Sequence, residues 1–151
     1  RQQMKVPLAT GESLYARFEF LNLMAARAAD IIQPDVCVCG GLLEMRKIAA
    51  IAEAHYVSIA PHNPMGPVAT AVNVHFAAAT HNFKVLEYTT PADTDWMKWV
   101  PDPYLPKDGY LELRETPGLG IDVNEEAEKD SAYIHWQRTA PVRPDGATGY
   151  I

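Results

Sequence analysis

The 151 residues predict an α/β protein made of successive strand-helix units with parallel strands, and three observations carry that prediction. Stretches rich in β-forming residues alternate with stretches of strong helix formers from residue 5 to residue 88. The helical stretches carry apolar residues three and four apart, the spacing of a buried helix face. A chemically active side chain stands where each β-rich stretch runs out: Glu12, Asp35, His62 and Glu87. These recur about every 25 residues, close to the roughly 30 residues of one unit in a (β/α)8 (TIM) barrel.

Each element follows in order. "KVPLATGE" (5–12) reads as a strand ending in a Gly-Glu turn, and "SLYARFEFLNLMAARAA" as a helix with Leu14, Phe18, Leu21 and Ala25 on its apolar face. "DIIQPDVCV" is a second strand, punctuated by Gly40-Gly41. The segment 42–55, "LLEMRKIAAIAEAH", is a second helix facing inward through Leu42, Met45, Ile48 or Ala49, and Ala52. "YVSIAPHN" is the third strand and "GPVATAVNVHFAAATH" the third helix, with Pro67 in its first turn, where a missing N–H costs nothing. "FKVLEY" is the fourth strand.

Strand-helix-strand units imply parallel strands joined by right-handed crossovers, so every carboxyl end of a strand lies on one face. In a (β/α)8 barrel that face carries the chemistry. The apolar run "YVSIA" therefore delivers His62 to a mouth, and Pro61 and Pro64 stiffen the turn that holds it. Four strands cannot close an eight-stranded barrel, so the chain is expected to be part of one. Residues 1–90 would form its strand-helix units, and residues 91–151 a loop-rich C-terminal extension. The missing strands would come from the rest of a longer protein or from another chain.

Composition narrows the functions. A formal charge of −6, with 13 Lys and Arg scattered along the chain, argues against nucleic acid, which needs a concentrated basic face. Every apolar run is interrupted within a few residues, so no membrane span or signal peptide is expected and a cytoplasmic location is the default. Cys37 and Cys39, one residue apart, read as free thiols, not as a disulfide or metal ligands. An acid after a strand is most often a helix cap, and a His beside Pro is most often a satisfied loop residue. Glu, Asp, His and Glu at four successive strand ends are less readily explained that way. His55, His75 and His81 fall in or at the ends of helices, and His135 in the tail; these read as structural or solvated.

"PLATGE", "QPDVCVCGGLLEMRKIAAIAEAH", "SIAPHNPMGPVATAVNVHFAAAT" and "FKVLEY" together resemble the carboxyl-terminal half of an enolase-superfamily barrel of the mandelate racemase subgroup. The tail "WQRTAPVRPDGATGYI" resembles the ending of that subgroup, although Gln137 interrupts its usual Trp-Arg and Ala147 replaces its Ser. "PHNPMGPV" is similar to the D-galactonate dehydratase branch. The resemblance implies Glu12 as one ligand of an essential Mg2+, Asp35 as hydrogen-bond partner of the catalytic His, and His62 as the base that removes the proton next to a substrate carboxylate. It implies Glu87 as the acid that hydrogen-bonds that carboxylate or its enediolate form. It also implies that residues 1–90 are barrel strands five to eight, so the other metal carboxylates and the second acid or base group would lie on earlier strands, in the missing amino-terminal half.

That set is chemically coherent. A proton α to a carboxylate is weakly acidic, so its removal calls for a hard cation held by oxygen ligands and a base that works near neutral pH. Glu87 would serve if its surroundings keep it protonated. The expected activity is Mg2+-dependent dehydration of a sugar acid, an aldonate such as D-galactonate, to a 2-keto-3-deoxy acid. Racemisation or epimerisation of a 2-hydroxy acid on the same scaffold, or a barrel kept only for binding, are the alternatives. Exposed helices and family habit favour a homo-oligomer.

Beyond Glu87 the composition changes. Pro91, Pro101, Pro103, Pro106 and Pro117 break the segment into loops around one expected hairpin, "YLELRETPGLGIDV". Trp96 and Trp99 are expected to pack against the barrel wall or a lid domain, with lining of the mouth as the alternative. "GLG" lacks the strand-to-helix context of a phosphate loop.

Overall fold

The structure, a computed structural model, describes residues 3–89, 96–129, 135 and 142–147. Three short parallel strands form the sheet: β1 (Ala9–Thr10), β2 (Ile31–Ile32) and β3 (Ser58–Ile59), in the order β1-β2-β3. Ala9 pairs with Ile31 and Ile31 with Ser58; Thr10 pairs with Ile32 and Ile32 with Ile59. Each strand leads into a helix: α1 (Ala16–Ala25), α2 (Gly41–Ala54) and α3 (Pro67–Ala78). The expected α/β class with a parallel sheet is therefore present, with shorter strands than the β-rich runs suggested. Two later helices are single turns or little more, α4 (Trp96–Trp99) and α5 (Glu125–Lys129).

Proline explains why the ladders are short. Pro34 and Pro61, both fully buried, follow β2 and β3 and have no N–H to give, yet they hold Gln33 and Ala60 extended. The chains thus stay side by side beyond the last ladder pair. His62 N–H donates to the Pro34 carbonyl at 3.2 Å, and Asp35 and His62 form an isolated parallel bridge. Two site residues are set abreast by backbone alone.

The fourth expected strand is reduced to one parallel bridge, Ile59 with Phe83, made by Ile59 N–H to Asn82 O and Lys84 N–H to Ile59 O, both 2.9 Å. Residues 85–89 run on without ladder partners. The hairpin expected over 110–123 is absent: among the described residues the only antiparallel bridge nearby joins Lys107 to Tyr110. Its alternation was real, but no second strand lies alongside to use it.

The core confirms α2 and corrects α1. Met45, Ile48, Ala49 and Ala52 are buried as expected, while Leu42 is exposed. On α1 the buried side chains are Phe20 and Met24, whereas Phe18 (63% exposed) and Leu21 face outward. The helix carries apolar residues on two stripes, and contact with the sheet chooses between them. Gly11, at φ +121°, makes that choice: a Cβ there would lie 2.9 Å from the Phe20 ring, so the absence of a side chain lets Phe20 close on the end of β1. Fully burying a side chain of the size of Phe20, Ile32, Met45, Ile48 or Ile59 contributes about 1.5–3 kcal/mol each.

A second, smaller cluster joins Ala71 and Val74 of α3 to Tyr104, with Leu86, Leu111, Leu119 and Ile121 packed around it. It seats residues 100–121 on α3. Trp96 and Trp99 are half-buried in α4. Among the described residues no helix is long and apolar enough to cross a membrane. The proposed division at residues 90 and 91, and the tail readings at Trp136 and Gln137, lie outside the described residues.

Candidate functional site

Glu12, Asp35, His62 and Glu87 meet at the carboxyl ends of the strands. Asp35 is 1% exposed, and its Oδ2 accepts from His62 Nδ1 at 2.9 Å. Its Oδ1 accepts the Cys37 N–H at 2.7 Å, a local turn that fixes the carboxylate two residues back along its own chain. Asp35 is therefore held from both sides, and it fixes which imidazole nitrogen points inward. His62 Nε2 is left facing the open side, 3.3 Å from Glu12 Oε2 and 4.0 Å from Glu87 Oε2.

The two glutamates differ in how they are held. Glu12 is the more exposed, at 60% of its side chain, and sits just past Gly11 beside a cavity of about 310 Å³ bounded by Thr10, Ser13, Leu14 and Gln33. The loop that carries it is strapped to the next unit. Ala16 N–H donates to Cys39 O at 3.2 Å, and Arg17 reaches Glu44 of α2 through its backbone N–H (2.9 Å) and its guanidinium (2.8 and 2.7 Å). That strap holds Ala16 at φ 51°, a left-handed conformation unusual for a residue with a Cβ. The hydrogen bonds and charge of Arg17 hold the Glu44 carboxyl below the usual glutamate range. Glu87 accepts the Asn63 N–H on Oε2 at 3.0 Å, and its backbone carbonyl accepts from Asn63 Nδ2 at 3.0 Å.

Other groups stand apart from this cluster. Cys37 is exposed and Cys39 buried, both free. Burial, reinforced by the Asp35 carboxylate, pushes the Cys37 thiol up and the Cys39 thiol to about 11, so both stay protonated near neutral pH. His55 and His81 are exposed, His81 with Glu53 at 3.9 Å, and His75 lies 3.5 Å from the Tyr104 hydroxyl. A mainly apolar groove of about 420 Å³, lined among others by Val74, Phe83, Leu86 and Leu111, contains none of the four site residues.

Residues 1–127 match the profile of the family described as enolase C-terminal domain-like. The chain belongs to that family. A D-galactonate dehydratase of Xanthomonas oryzae pv. oryzae (strain PXO99A) is 39% identical over 127 residues, 80% of this chain and 33% of that protein. One from Verminephrobacter eiseniae (strain EF01-2) is 39% identical over 126 residues, again 80% and 33%. Among solved structures, an enolase from Agrobacterium radiobacter, a proposed galactarate dehydratase with bound sodium and L-malate, is 55% identical with a TM-score of 0.90. The match covers 97% of this chain and 41% of that one. A mandelate racemase/muconate lactonizing enzyme-like protein from Rubrobacter xylanophilus (DSM 9941) is 42% identical, with a TM-score of 0.77 over 86% of this chain and 34% of that one. The chain thus spans about a third of the length of the curated relatives it matches.

Glu12 and Glu87 both present exposed carboxylate oxygens, the ligand type that a hard divalent cation takes. No group of three or more His, Cys, Asp or Glu that could hold a metal ion occurs among the described residues. Sequence reasoning missed Asn63, Thr70 and Asn73, which form a buried polar group beside Glu87. The available signal was Thr70 and Asn73, three apart on a helix that is apolar apart from them and His75.

Proposed function

We propose that this chain supplies the proton-abstracting part of a Mg2+-dependent sugar-acid dehydratase, in a protein that also contains the length of the relatives not spanned here. The observation that carries this reading is the pairing of buried Asp35 with His62 at 2.9 Å, with His62 Nε2 facing two carboxylates on the carboxyl-end face.

The chemistry follows from the positions. With Nδ1 engaged by Asp35, Nε2 is the nitrogen that takes the proton from the carbon next to the substrate carboxylate, and Asp35 balances the imidazolium that results. Glu87, alongside, donates a hydrogen bond to the substrate carboxylate as charge develops on it, a role it can fill only while it carries its proton. Glu12 is the ligand this chain offers to Mg2+, which when bound supplies Lewis-acid stabilisation of that negative charge. Loss of the hydroxyl from the next carbon as water gives a 2-keto-3-deoxy acid, and the group that protonates it belongs to an earlier part of the barrel.

The substrate class is a sugar acid, an aldonate such as D-galactonate, the substrate in the names of the 39% identical relatives. An aldarate is the second reading, favoured by the 55% identity to a proposed galactarate dehydratase that binds L-malate, a dicarboxylate. Proton NMR in D₂O, on natural-length protein with Mg2+ and a panel of aldonic and aldaric acids, tests both. Loss of the C2 proton with a new 3-deoxy methylene in D-galactonate supports the first, and in galactarate the second. C2 exchange without a methylene indicates epimerisation, and no exchange with any acid overturns the proposal.

A further inference from the structure

The sheet does not explain where Glu87 sits. Its last ladder bond on that side is Lys84 N–H to Ile59 O, and the chain then runs free of partner strands through Glu87. Asp35 and His62, by contrast, are bridged by backbone. Something other than the ladder must hold Glu87 4.0 Å from His62 Nε2.

Asn63 does so at two points. Its N–H donates to Glu87 Oε2 and its side-chain Nδ2 donates to the Glu87 carbonyl, each at 3.0 Å, so carboxylate and backbone are gripped by one residue. Asn63 is itself 2% exposed, and its amide is fixed on both ends by α3. Asn73 Nδ2 donates to Asn63 Oδ1 at 3.0 Å, and Asn63 Nδ2 donates to Thr70 Oγ1 at 3.0 Å. Thr70 in turn donates to Gly66 O at 3.0 Å, at the start of that helix. A flipped amide would set Oδ1 against the Glu87 carbonyl and Nδ2 against the Asn73 amide donor, so only one orientation satisfies every partner. Because Asn63 follows His62 directly, the same residue measures the distance between base and acid.

We propose that Asn63, locked by Thr70 and Asn73, is the positioning residue that sets the Glu87 carboxylate against His62. Its kinetic consequence rests on the dehydratase reading; its structural consequence does not. The test is Asn63→Ala in the natural-length protein, which keeps the backbone N–H and removes the amide. A crystal structure is expected to show Glu87 displaced from both Asn63 N and His62 Nε2, with Asp35 Oδ2 to His62 Nδ1 unchanged at 2.9 Å. In a cycle with Glu87→Gln, Asn63→Ala alone is expected to lower kcat on the order of 10- to 100-fold. In the Glu87→Gln background it is expected to add less than about twofold, because both changes act through one carboxylate. If Asn63→Ala does not fold, the near-isosteric Thr70→Val, which removes one lock, is expected to shift Glu87 in the same sense by less. Glu87 unmoved in whichever variant folds, or effects that multiply in the cycle, overturns the proposal. If the parent protein exchanges no α-proton, the dehydratase reading fails, and the crystallographic outcome alone decides the role of Asn63.

Discussion

Residues 3–89 and residues 96–129 are ordered by different means. In the first region a three-stranded parallel sheet carries three helices that share a continuous core with β2 and β3, and backbone bonds align Asp35 with His62. In the second, single side chains take the place of a ladder. Arg114 donates to the carbonyls of Asp102 (2.9 Å), Pro103 (2.9 Å) and Gly120 (2.8 Å), and its guanidinium lies 4.5 Å from the centre of the Tyr104 ring. Tyr104 donates to Leu119 O at 3.2 Å and accepts from Tyr88 through its own carbonyl at 2.8 Å. The contrast teaches that one arginine and one tyrosine can meet the backbone's hydrogen-bonding needs where no partner strand exists.

The comparison predicts that a packing defect in the first region takes the chemistry down with it, whereas one in the second lowers stability alone. The largest effect is expected from His62→Ala in the natural-length protein: exchange of the α-proton falls on the order of 10²–10⁴-fold. Circular dichroism should stay native while the melting temperature falls, since buried Asp35 loses its partner; exchange at the parental rate would remove His62 from its role. Phe20→Ala comes next, with an expected loss of about 3–5 kcal/mol in denaturant unfolding. Activity should fall with it, because Phe20 packs on Gly11, the residue before Glu12. A stable variant with normal activity would uncouple core from site.

Arg114→Ala should cost less, about 2 kcal/mol, since its side chain is only partly buried and the Asp102 carboxylate it pairs with at 3.0 Å is 86% exposed. Here kcat should stay at the parental value while stability drops, and a matching loss of kcat would show that the second region shapes the site. The smallest effect concerns Arg17–Glu44. Glu44 is held below its ordinary value of 4.5, so its contribution to stability is complete above that pH and is lost as pH falls through the depressed value. Denaturation midpoints measured across that acid range should fall less steeply with pH in Glu44→Gln than in the parent. Parallel curves would mean that the strap contributes nothing to folding.

How much was readable in advance depends on where the determinant lies. The α2 face was readable because Met45, Ile48, Ala49 and Ala52 form one stripe, whereas α1 carried two and Phe18 and Leu21 looked as suitable as Phe20 and Met24. Glu12, Asp35, His62 and Glu87 were readable as a set because parallel strands with short turns bring their carboxyl ends to one face. The hairpin over 110–123 was misread because alternation describes one strand and says nothing about a neighbour.

The sequence by itself determined the order of strand and helix, the parallel sense of the sheet and the identity of the four residues at the strand ends. These depend on local period and on turn residues, which act within a few positions of one another. The tertiary structure decided which stripe of α1 is buried, that the fourth strand shrinks to a single bridge, and that Asn63, Thr70 and Asn73 converge on Glu87. Each of these depends on contacts between residues distant in the chain, and an amide's choice of partner is fixed only when folding excludes the water that would otherwise satisfy it.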